Sequence, residues 1–288
     1  MPHRFPSDPQ DAYGSHMEML EPRRLLAAVL ADTLLTVTGT ASADTINVWI
    51  AANGRLAVKI GATTQRFNRS EVRRIEINGG DGNDTILVSA NVSPRLVIRG
   101  EEGNDTLRGS SGRVTLYGGA GNDSLRSDAA MNDLRGGAGN DTIQGGPQGD
   151  LIWGNDGNDR LDGGSGADTV YGNVGDDTLL GGAARDYLVG GNGNDSLLGG
   201  ADNDTLRGDD GNDTLDGEEG NDSLRGGWGD DNLQDLRGHD TLLGEAGNDV
   251  LNAADDDPYD YLFDDSGTNR FTADDLDNVK ETLVPNSF

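Results

Sequence analysis

The segment Gly118-Gly-Ala-Gly-Asn-Asp-Ser-Leu-Arg126 returns eighteen residues later, almost unchanged, as Gly136-Gly-Ala-Gly-Asn-Asp-Thr-Ile-Gln144. A degraded copy lies between the two, and the register runs unbroken from Gly100 to Asn252. This stretch is therefore seventeen consecutive nonapeptides. Short repeats of this kind predict a solenoid, in which each unit buries its apolar residue only against its neighbours.

Three of the nine repeat positions are nearly invariant. Position 8 is aliphatic in all seventeen repeats, and position 6 is Asp and position 1 is Gly in fifteen each. The exceptions are Val114 and Asn132 at position 6, and Ser127 and Asp235 at position 1. Positions 7–9 predict a three-residue strand with its middle side chain facing inward, because successive side chains alternate. We expect the glycines at positions 1 and 4 to supply the positive φ of a tight turn.

Two repeats with opposite strands close one coil of eighteen residues. Coils stacked at the strand spacing of about 4.8 Å would make a rod of roughly 40 Å from about 8.5 coils. The position-8 side chains would then form an aliphatic column inside the rod. The pattern predicts an all-β fold over residues 100–252.

The composition predicts that something other than an apolar core supplies folding energy. The chain has 45 glycines, only 33% hydrophobic residues and a net charge of −29, which is typical of disordered segments. The absence of cysteine excludes disulfides and thiolate zinc sites. His3, His16 and His239 are too scattered for a histidine metal site. Nucleic acid is disfavoured by the acidic charge, and no apolar run is long enough to span a membrane.

The acidic residue at position 6 indicates a cation ligand. Turn formation alone tolerates Asn, Ser or Gly, and position 5 does vary, whereas position 6 remains Asp. Stacked aspartates one strand spacing apart would repel by about 1 kcal/mol per neighbouring pair even in water. Carboxylate and carbonyl oxygens, six to eight around one ion, suit Ca²⁺ better than Mg²⁺. The sequence therefore predicts a ladder of calcium ions.

The unit Gly-Gly-x-Gly-x-Asp-x-aliphatic-x resembles the RTX (repeats in toxin) family, also called the haemolysin-type calcium-binding repeat. The resemblance implies a parallel β-roll, a β-helix-like solenoid with Ca²⁺ between the turns of successive coils. It further implies that the ligands are carbonyl oxygens of positions 1 and 3 in one turn and of positions 2 and 4 in the next. The position-6 carboxylates of both turns complete the implied set.

The two edges of the roll differ in quality. On the edge that begins at Gly100, position 4 is always Gly and position 6 is always Asp; on the other edge both positions are degraded. We predict eight sites on the regular edge and about five on the weaker one, whose first two coils hold no ion. The predicted aspartate ligands are Asp105, Asp123, Asp141, Asp159, Asp177, Asp195, Asp213, Asp231 and Asp249 on the regular edge, Asp150, Asp168, Asp186, Asp204, Asp222 and Asp240 on the weaker edge, and Asp84 in one further site with Asp105. The predicted glycine contributors are Gly118, Gly121, Gly136, Gly139, Gly154, Gly157, Gly172, Gly175, Gly190, Gly193, Gly208 and Gly211.

Residues 32–99 are predicted to form a β-rich N-terminal cap. Leu34–Gly39, Thr45–Ala51 and Arg55–Ile60 have the composition of strands, and Asn53-Gly54 predicts a two-residue hairpin turn. Val72–Asn78 is partly alternating. Residues 79–87 form a further nonapeptide outside the register, and residues 39–47 resemble a worn copy.

Residues 253–288 are predicted to form a short C-terminal cap, with an export signal as the alternative. In residues 1–31, Leu20-Glu-Pro-Arg-Arg-Leu-Leu26 resembles the LEPR-x-LL motif found near the start of large bacterial secreted or surface proteins. The apolar run Leu25–Ala31 fits either a signal peptide or a short surface helix.

No motif of a hydrolase, a metalloprotease or a nucleotide-binding enzyme occurs, so we do not expect an enzyme. The predicted function is an extracellular or cell-surface calcium-binding roll with a structural or adhesive role, which folds when about thirteen Ca²⁺ ions bind. The alternative is a module that binds polysaccharide or protein partners through Tyr117, Trp153, Tyr171, Tyr187 and Trp228. An ice-binding rod is disfavoured because position 3 carries no threonine ladder.

Overall fold

The computed structural model describes residues 27–92, 94–128, 131–254, 260–264 and 266–273, and the backbone of 278–281. The described strands form two sheets of fourteen. Sheet one contains β1 (Ala27–Ala31), β2 (Leu34–Thr38), β6 (Arg74–Asp81), β8 (Arg95–Glu102), β10 (Val114–Ala120), β12 (Asp133–Ala138), β14 (Leu151–Asp156), β16 (Thr169–Val174), β18 (Tyr187–Asn192), β20 (Thr205–Asp210), β22 (Ser223–Trp228), β24 (Thr241–Ala246), β26 (Tyr261–Asp264) and β28 (Asn278–Glu281).

Sheet two contains the other described strands, which alternate with those of sheet one from β5 onward. It contains β3 (Thr45–Ile50), β4 (Leu56–Ile60), β5 (Thr63–Phe67), β7 (Thr85–Val88), β9 (Thr106–Arg108), β11 (Ser124–Arg126), β13 (Thr142–Gly146), β15 (Arg160–Ser165), β17 (Thr178–Ala183), β19 (Ser196–Ala201), β21 (Thr214–Glu219), β23 (Asn232–Gln234), β25 (Val250–Asn252) and β27 (Arg270–Thr272). One 3-10 turn, Arg69–Glu71, is the only helical element in these ranges.

The chain winds as a parallel β-roll, as the repeat predicts. Within residues 100–252 each strand pairs in parallel with the strand eighteen residues away in the same sheet, for example Leu116 with Leu134 and Leu125 with Ile143. Each eighteen-residue coil thus places one strand in each sheet. The turns therefore stack along two edges of the roll.

The aliphatic column is confirmed. All seventeen position-8 side chains are buried, with at most 1% of their surface exposed. They belong to one continuous core that also contains Ile46, Ile77 and Ile86 from the N-terminal region and Leu262 beyond the last regular repeat. The prediction that each repeat buries one aliphatic residue against its neighbours is correct.

The strands are longer than the three residues predicted. Most of those within the repeats contain six residues, because the backbone pairing continues through positions 1–3 of the following repeat. In β10 and β12, for example, Gly119 pairs with Gly137 and Ala120 with Ala138. The three-residue length holds at β9, β11, β23 and β25.

The prediction of positive φ in the turn is correct for position 4 and wrong for position 1. Positive φ occurs at positions 2 and 4, as at Gly119 and Gly121, and not at the position-1 glycines. Position 2 adopts it even where it carries a side chain, as at Glu101 and Asn155. At position 4 of the weaker edge, Ala184 also has a left-handed backbone, which is strained for a residue with a Cβ.

The three strands predicted in residues 32–99 are confirmed as β2, β3 and β4, and the partly alternating Val72–Asn78 overlaps β6. The hairpin at Asn53-Gly54 is not the two-residue turn predicted. The Ala51 and Arg55 backbones pair around a three-residue loop in which Gly54 has positive φ. A type I turn followed by a left-handed glycine has this form. The structure also places residues 27–31 in β1, antiparallel to β2, so the short surface helix, one of the two alternatives for Leu25–Ala31, is wrong over this range.

Both sheets continue past Asn252. β26 pairs with β24 and β27 pairs with β25, each with two extra residues in the coil. Leu262 and Phe271 follow the position-8 residues Leu242 and Leu251 in register. The division at residue 252 and the capping role of 253–288 stay predictions. The LEPR-x-LL segment lies outside the described residues.

Candidate metal centre

The position-6 aspartates of the regular edge form one buried column. Each side chain is only 1–3% exposed, although it follows a surface turn. Oδ1 of each accepts the backbone N–H of the aspartate one coil earlier, as at Asp105 N to Asp123 Oδ1 and Asp123 N to Asp141 Oδ1, both 2.7 Å. The column runs in register through Asp84, Asp105, Asp123, Asp141, Asp159, Asp177, Asp195, Asp213, Asp231 and Asp249.

The second carboxylate oxygen has no such role. Oδ2 is buried and accepts no hydrogen bond from any described residue at Asp84, Asp105, Asp123, Asp141, Asp159, Asp177, Asp195, Asp213 and Asp231. A buried anionic oxygen without a partner is costly, so a repeated row of them indicates a cation ligand.

Position-1 glycines leave the space in which these oxygens lie. A Cβ at Gly118 would overlap Asp123 Oδ2 and would lie only 2.5 Å from the Gly136 carbonyl oxygen of the next coil. Because Gly118 has no positive φ, backbone conformation does not explain the glycine. The glycine is explained by the close approach of a carboxylate oxygen and a carbonyl oxygen to its α-carbon. The regular edge repeats this arrangement at Gly136, Gly154, Gly172 and Gly208.

Asparagines at position 5 tie the same turns together in the opposite direction. The Asn104 side-chain oxygen accepts the backbone N–H of Asn122, one coil later, at 2.8 Å. Asn122 does the same for Asn140. Sequence reasoning missed this ladder, although the near-constant asparagine at position 5 of the regular edge was its visible signal.

The weaker edge has a shorter aspartate column. Asp150, Asp168, Asp186, Asp204, Asp222 and Asp240 are 2–4% exposed and are linked by the same backbone hydrogen bonds. Its first two levels differ. Val114 carries no ligand atom, and the Asn132 side-chain amide donates to Asp150 Oδ1 at 2.8 Å. This asymmetry agrees with the predicted lack of ions there, and the occupancy of each edge stays a prediction.

Burial raises the pKa of these aspartates. The pKa rises to about 7 at Asp105, Asp141 and Asp177, and to about 8 at Asp168. Burial away from water is the largest cause, and neighbouring aspartates of the column add repulsion. The backbone N–H bonds to Oδ1 oppose the rise without cancelling it. The roll therefore holds ionised carboxylates poorly unless a cation compensates them.

The donor set fits calcium. The turns present carboxylate and carbonyl oxygens and no sulfur or imidazole from the column, and hard oxygen donors in large number favour Ca²⁺. Asp84 lies in the same column as Asp105, and a Cβ at Gly79 would also overlap Asp84 Oδ2. The structure therefore brings together every predicted aspartate of both edges. A cation held between these oxygens would neutralise the stacked charge and join one coil to the next.

Two parallel sheets wound as a roll, with buried carboxylates stacked along both edges, define the class of calcium-binding β-rolls. The chain belongs to the family of the RTX calcium-binding nonapeptide repeat. The family model, which holds four copies of the repeat, matches residues 76–90, 99–130, 135–170, 153–188, 162–197, 171–206, 189–224, 198–233 and 225–258.

No curated protein matched the chain in sequence. Within the described ranges, no helix has the length and hydropathy to cross a membrane.

Proposed function

We propose that this chain is an extracellular calcium-binding roll that folds when Ca²⁺ binds and serves as a structural or adhesive rod. The observation that carries the proposal is the row of buried Oδ2 atoms that accept no hydrogen bond from the described residues. At neutral pH, such a row favours the folded state only when cations lie against it. Repeats of this family with stacked buried aspartates fit a calcium-binding structural module.

Calcium supplies the folding energy that the composition lacks. The core is a single aliphatic column, while the chain has 45 glycines and a net charge of −29. When a site exists only in the folded state, the free energy of metal binding becomes free energy of folding. About thirteen divalent ions would neutralise most of the charge. Each site is expected to bind in the weak extracellular range, with Kd on the order of 10⁻⁴–10⁻³ M.

Far-UV circular dichroism during a calcium titration from EDTA tests the proposal. We expect a coil spectrum that converts cooperatively to β-structure with Ca²⁺ and not with equal Mg²⁺. A folded β spectrum in EDTA that calcium leaves unchanged would contradict calcium-driven folding.

Adjacent aspartates in one turn offer a matched pair for the same titration. Asp177→Asn removes a charge from the buried column, whereas Asp176→Asn removes one from an exposed position that is usually Asn. Asp176 accepts the Asn194 backbone N–H, which an asparagine would also do. We expect the calcium midpoint to rise for Asp177→Asn and to stay nearly constant for Asp176→Asn. Equal shifts would show that only total charge matters.

Calcium-dependent binding of polysaccharide or protein is the second candidate. It is favoured by Trp228, which is 74% exposed. The other predicted aromatic contacts are half-buried, and Trp153 and Tyr171 stack on each other with ring centroids 4.2 Å apart. A glycan array read in Ca²⁺ and in EDTA, with Trp228→Ala as control, tests this function. Signal that requires both Ca²⁺ and Trp228 would support it.

A further inference from the structure

Asp235 departs from the repeat at a position that the roll reserves for glycine. It occupies position 1 on the weaker edge, where the three preceding coils have Gly181, Gly199 and Gly217. The side chain is fully buried, at 0% exposure. β23 ends at Gln234, three residues earlier in the repeat than β19 and β21, although Asp235 still donates its backbone N–H to the Asn252 carbonyl oxygen of β25 at 2.9 Å.

The Asp235 carboxylate lies where other coils place a carbonyl oxygen. A Cβ on Gly181 would lie 2.5 Å from the Gly199 carbonyl oxygen of the next coil, and the contact from Gly199 to the Gly217 carbonyl oxygen is 2.7 Å. For a Cβ on Gly217, the nearest atom is instead Asp235 Oδ2, and Asp222 Oδ2 would lie 2.6 Å away. A charged ligand atom has therefore replaced a neutral one.

This substitution brings three carboxylates together. Oxygen atoms of Asp222, Asp235 and Asp240 all lie within 4.8 Å of one another, and all three side chains are buried. Neither oxygen of Asp235 accepts a hydrogen bond from the residues that the structure describes. No described lysine or arginine forms an ion pair with it. Asp235 thus faces two other buried carboxylates, and contacts of this kind need either a shared proton or a cation between the oxygens.

We propose that Asp235 converts the level between Asp222 and Asp240 into a three-carboxylate calcium site, the tightest site of the weaker edge. The inference rests on the proposed calcium ladder and assigns one of its rungs a distinct role. From Asp150 to Asp222, the earlier levels of this edge each offer two position-6 carboxylates, and each carboxylate is shared with a neighbouring level. Ligand charge is one of the variables that set calcium affinity, so a third carboxylate strengthens binding at this level. The site would then fill first on its edge and order the coils beside it.

Two substitutions at Asp235 separate charge from shape. Asp235→Asn keeps the side-chain size and removes the charge, while Asp235→Gly restores the residue usual at position 1. Ser127→Gly is the matched control, because it restores glycine at the same repeat position and edge without removing a carboxylate. Binding to the full chain is measured by competition with a fluorescent calcium chelator, and folding by circular dichroism at saturating Ca²⁺.

We expect both Asp235 variants to lower the affinity of one of the ions that the parent binds by about tenfold or more, and Ser127→Gly to leave every affinity unchanged. All variants should reach the parent spectrum at saturating Ca²⁺. If the Asp235 variants bind every ion as well as the parent does or better, Asp235 is a buried neutral acid and the inference is wrong. If the parent itself binds no calcium, the proposed function fails instead.

Discussion

At the scale of single residues, a position-6 aspartate divides its two oxygens between different tasks. Asp123 Oδ1 accepts the Asp105 backbone N–H at 2.7 Å and so fixes the carboxylate on the turn. Its Oδ2 is left without a hydrogen-bond donor among the described residues. The Gly118 α-carbon gives both Oδ2 and a carbonyl oxygen room to approach. One carboxylate therefore links two coils and still presents an oxygen to a cation.

Replacing a position-1 glycine tests this space. Gly136→Ala would place a Cβ against Asp141 Oδ2 and 2.8 Å from the Gly154 carbonyl oxygen, so the ligand atoms must separate. We expect the calcium midpoint of folding to rise severalfold and the cooperativity to fall. Circular dichroism titrations measure both.

Gly109→Ala is the control for Gly136→Ala. It changes the same repeat position on the weaker edge, where a new Cβ would meet Val114 methyl groups at 3.0 Å and no carboxylate. A modest loss of stability with little change in calcium midpoint is expected there. If both substitutions shift the calcium midpoint equally, the glycine requirement is one of general packing.

At the scale of the coil, each strand contributes one side chain to the aliphatic column and the turns supply the remaining contacts. Hydrogen bonds between successive turns run in both directions on the regular edge, from Asp N–H forward and from Asn N–H backward. A coil is therefore held to its neighbours by the sheet, the column and two side-chain ladders. Because these contacts join adjacent coils only, the stability of the roll should be approximately a sum of contributions from single coils and from the contacts between neighbouring coils.

A cavity in the column tests the contribution of one coil. Leu188→Ala in β18 removes a fully buried side chain, and such truncations cost about 2–5 kcal/mol of unfolding free energy. Urea unfolding at saturating Ca²⁺ measures this loss. Val174→Ala, at a side chain 48% exposed, is the control and should change stability little. Equal losses for the two variants would contradict the aliphatic column as the main apolar contribution.

At the scale of the whole molecule, the roll concentrates buried charge along two edges of a chain with net charge −29. Without cations, the folded aspartates have pKa values raised from 3.8 to about 6 at Asp159 and about 8 at Asp168, with burial as the main cause. The folded state then holds more protons than the unfolded chain does at neutral pH. The stability that these protonated aspartates give to the metal-free roll is therefore fully present below about pH 3.8. It is lost as the pH rises through about 6 to 8.

Calcium should reverse this pH dependence. In EDTA we expect more β-structure near pH 4 than near pH 8, whereas in millimolar Ca²⁺ the roll is folded near pH 8 and releases ions on acidification. Circular dichroism against pH in both buffers measures the two profiles. Repeating the EDTA series in high salt screens surface repulsion but not the buried column. An EDTA profile that does not change with pH, or one that salt abolishes, would exclude the column as its cause.

The repeat period, the inward-facing residue and the acidic residue of each turn could be predicted from the sequence alone. These follow from local spacing, because alternation along a strand and nine-residue periodicity specify which side chains face inward. The fold class and the aspartate columns could therefore be predicted residue by residue, including the gap at Val114 and Asn132.

The contacts of each turn residue could not be predicted without the folded structure. The position-5 ladder, the reason for glycine at position 1, the strand at 27–31 and the inward turn of Asp235 all depend on atoms that the chain brings together from a neighbouring strand or coil. Repeat spacing records that position 1 is usually glycine but not which oxygen lies against it. The physical reason is that the turn's contacts arise from stacking, so Asp235 acquires its partners only when the coil of Gly217 lies beside it.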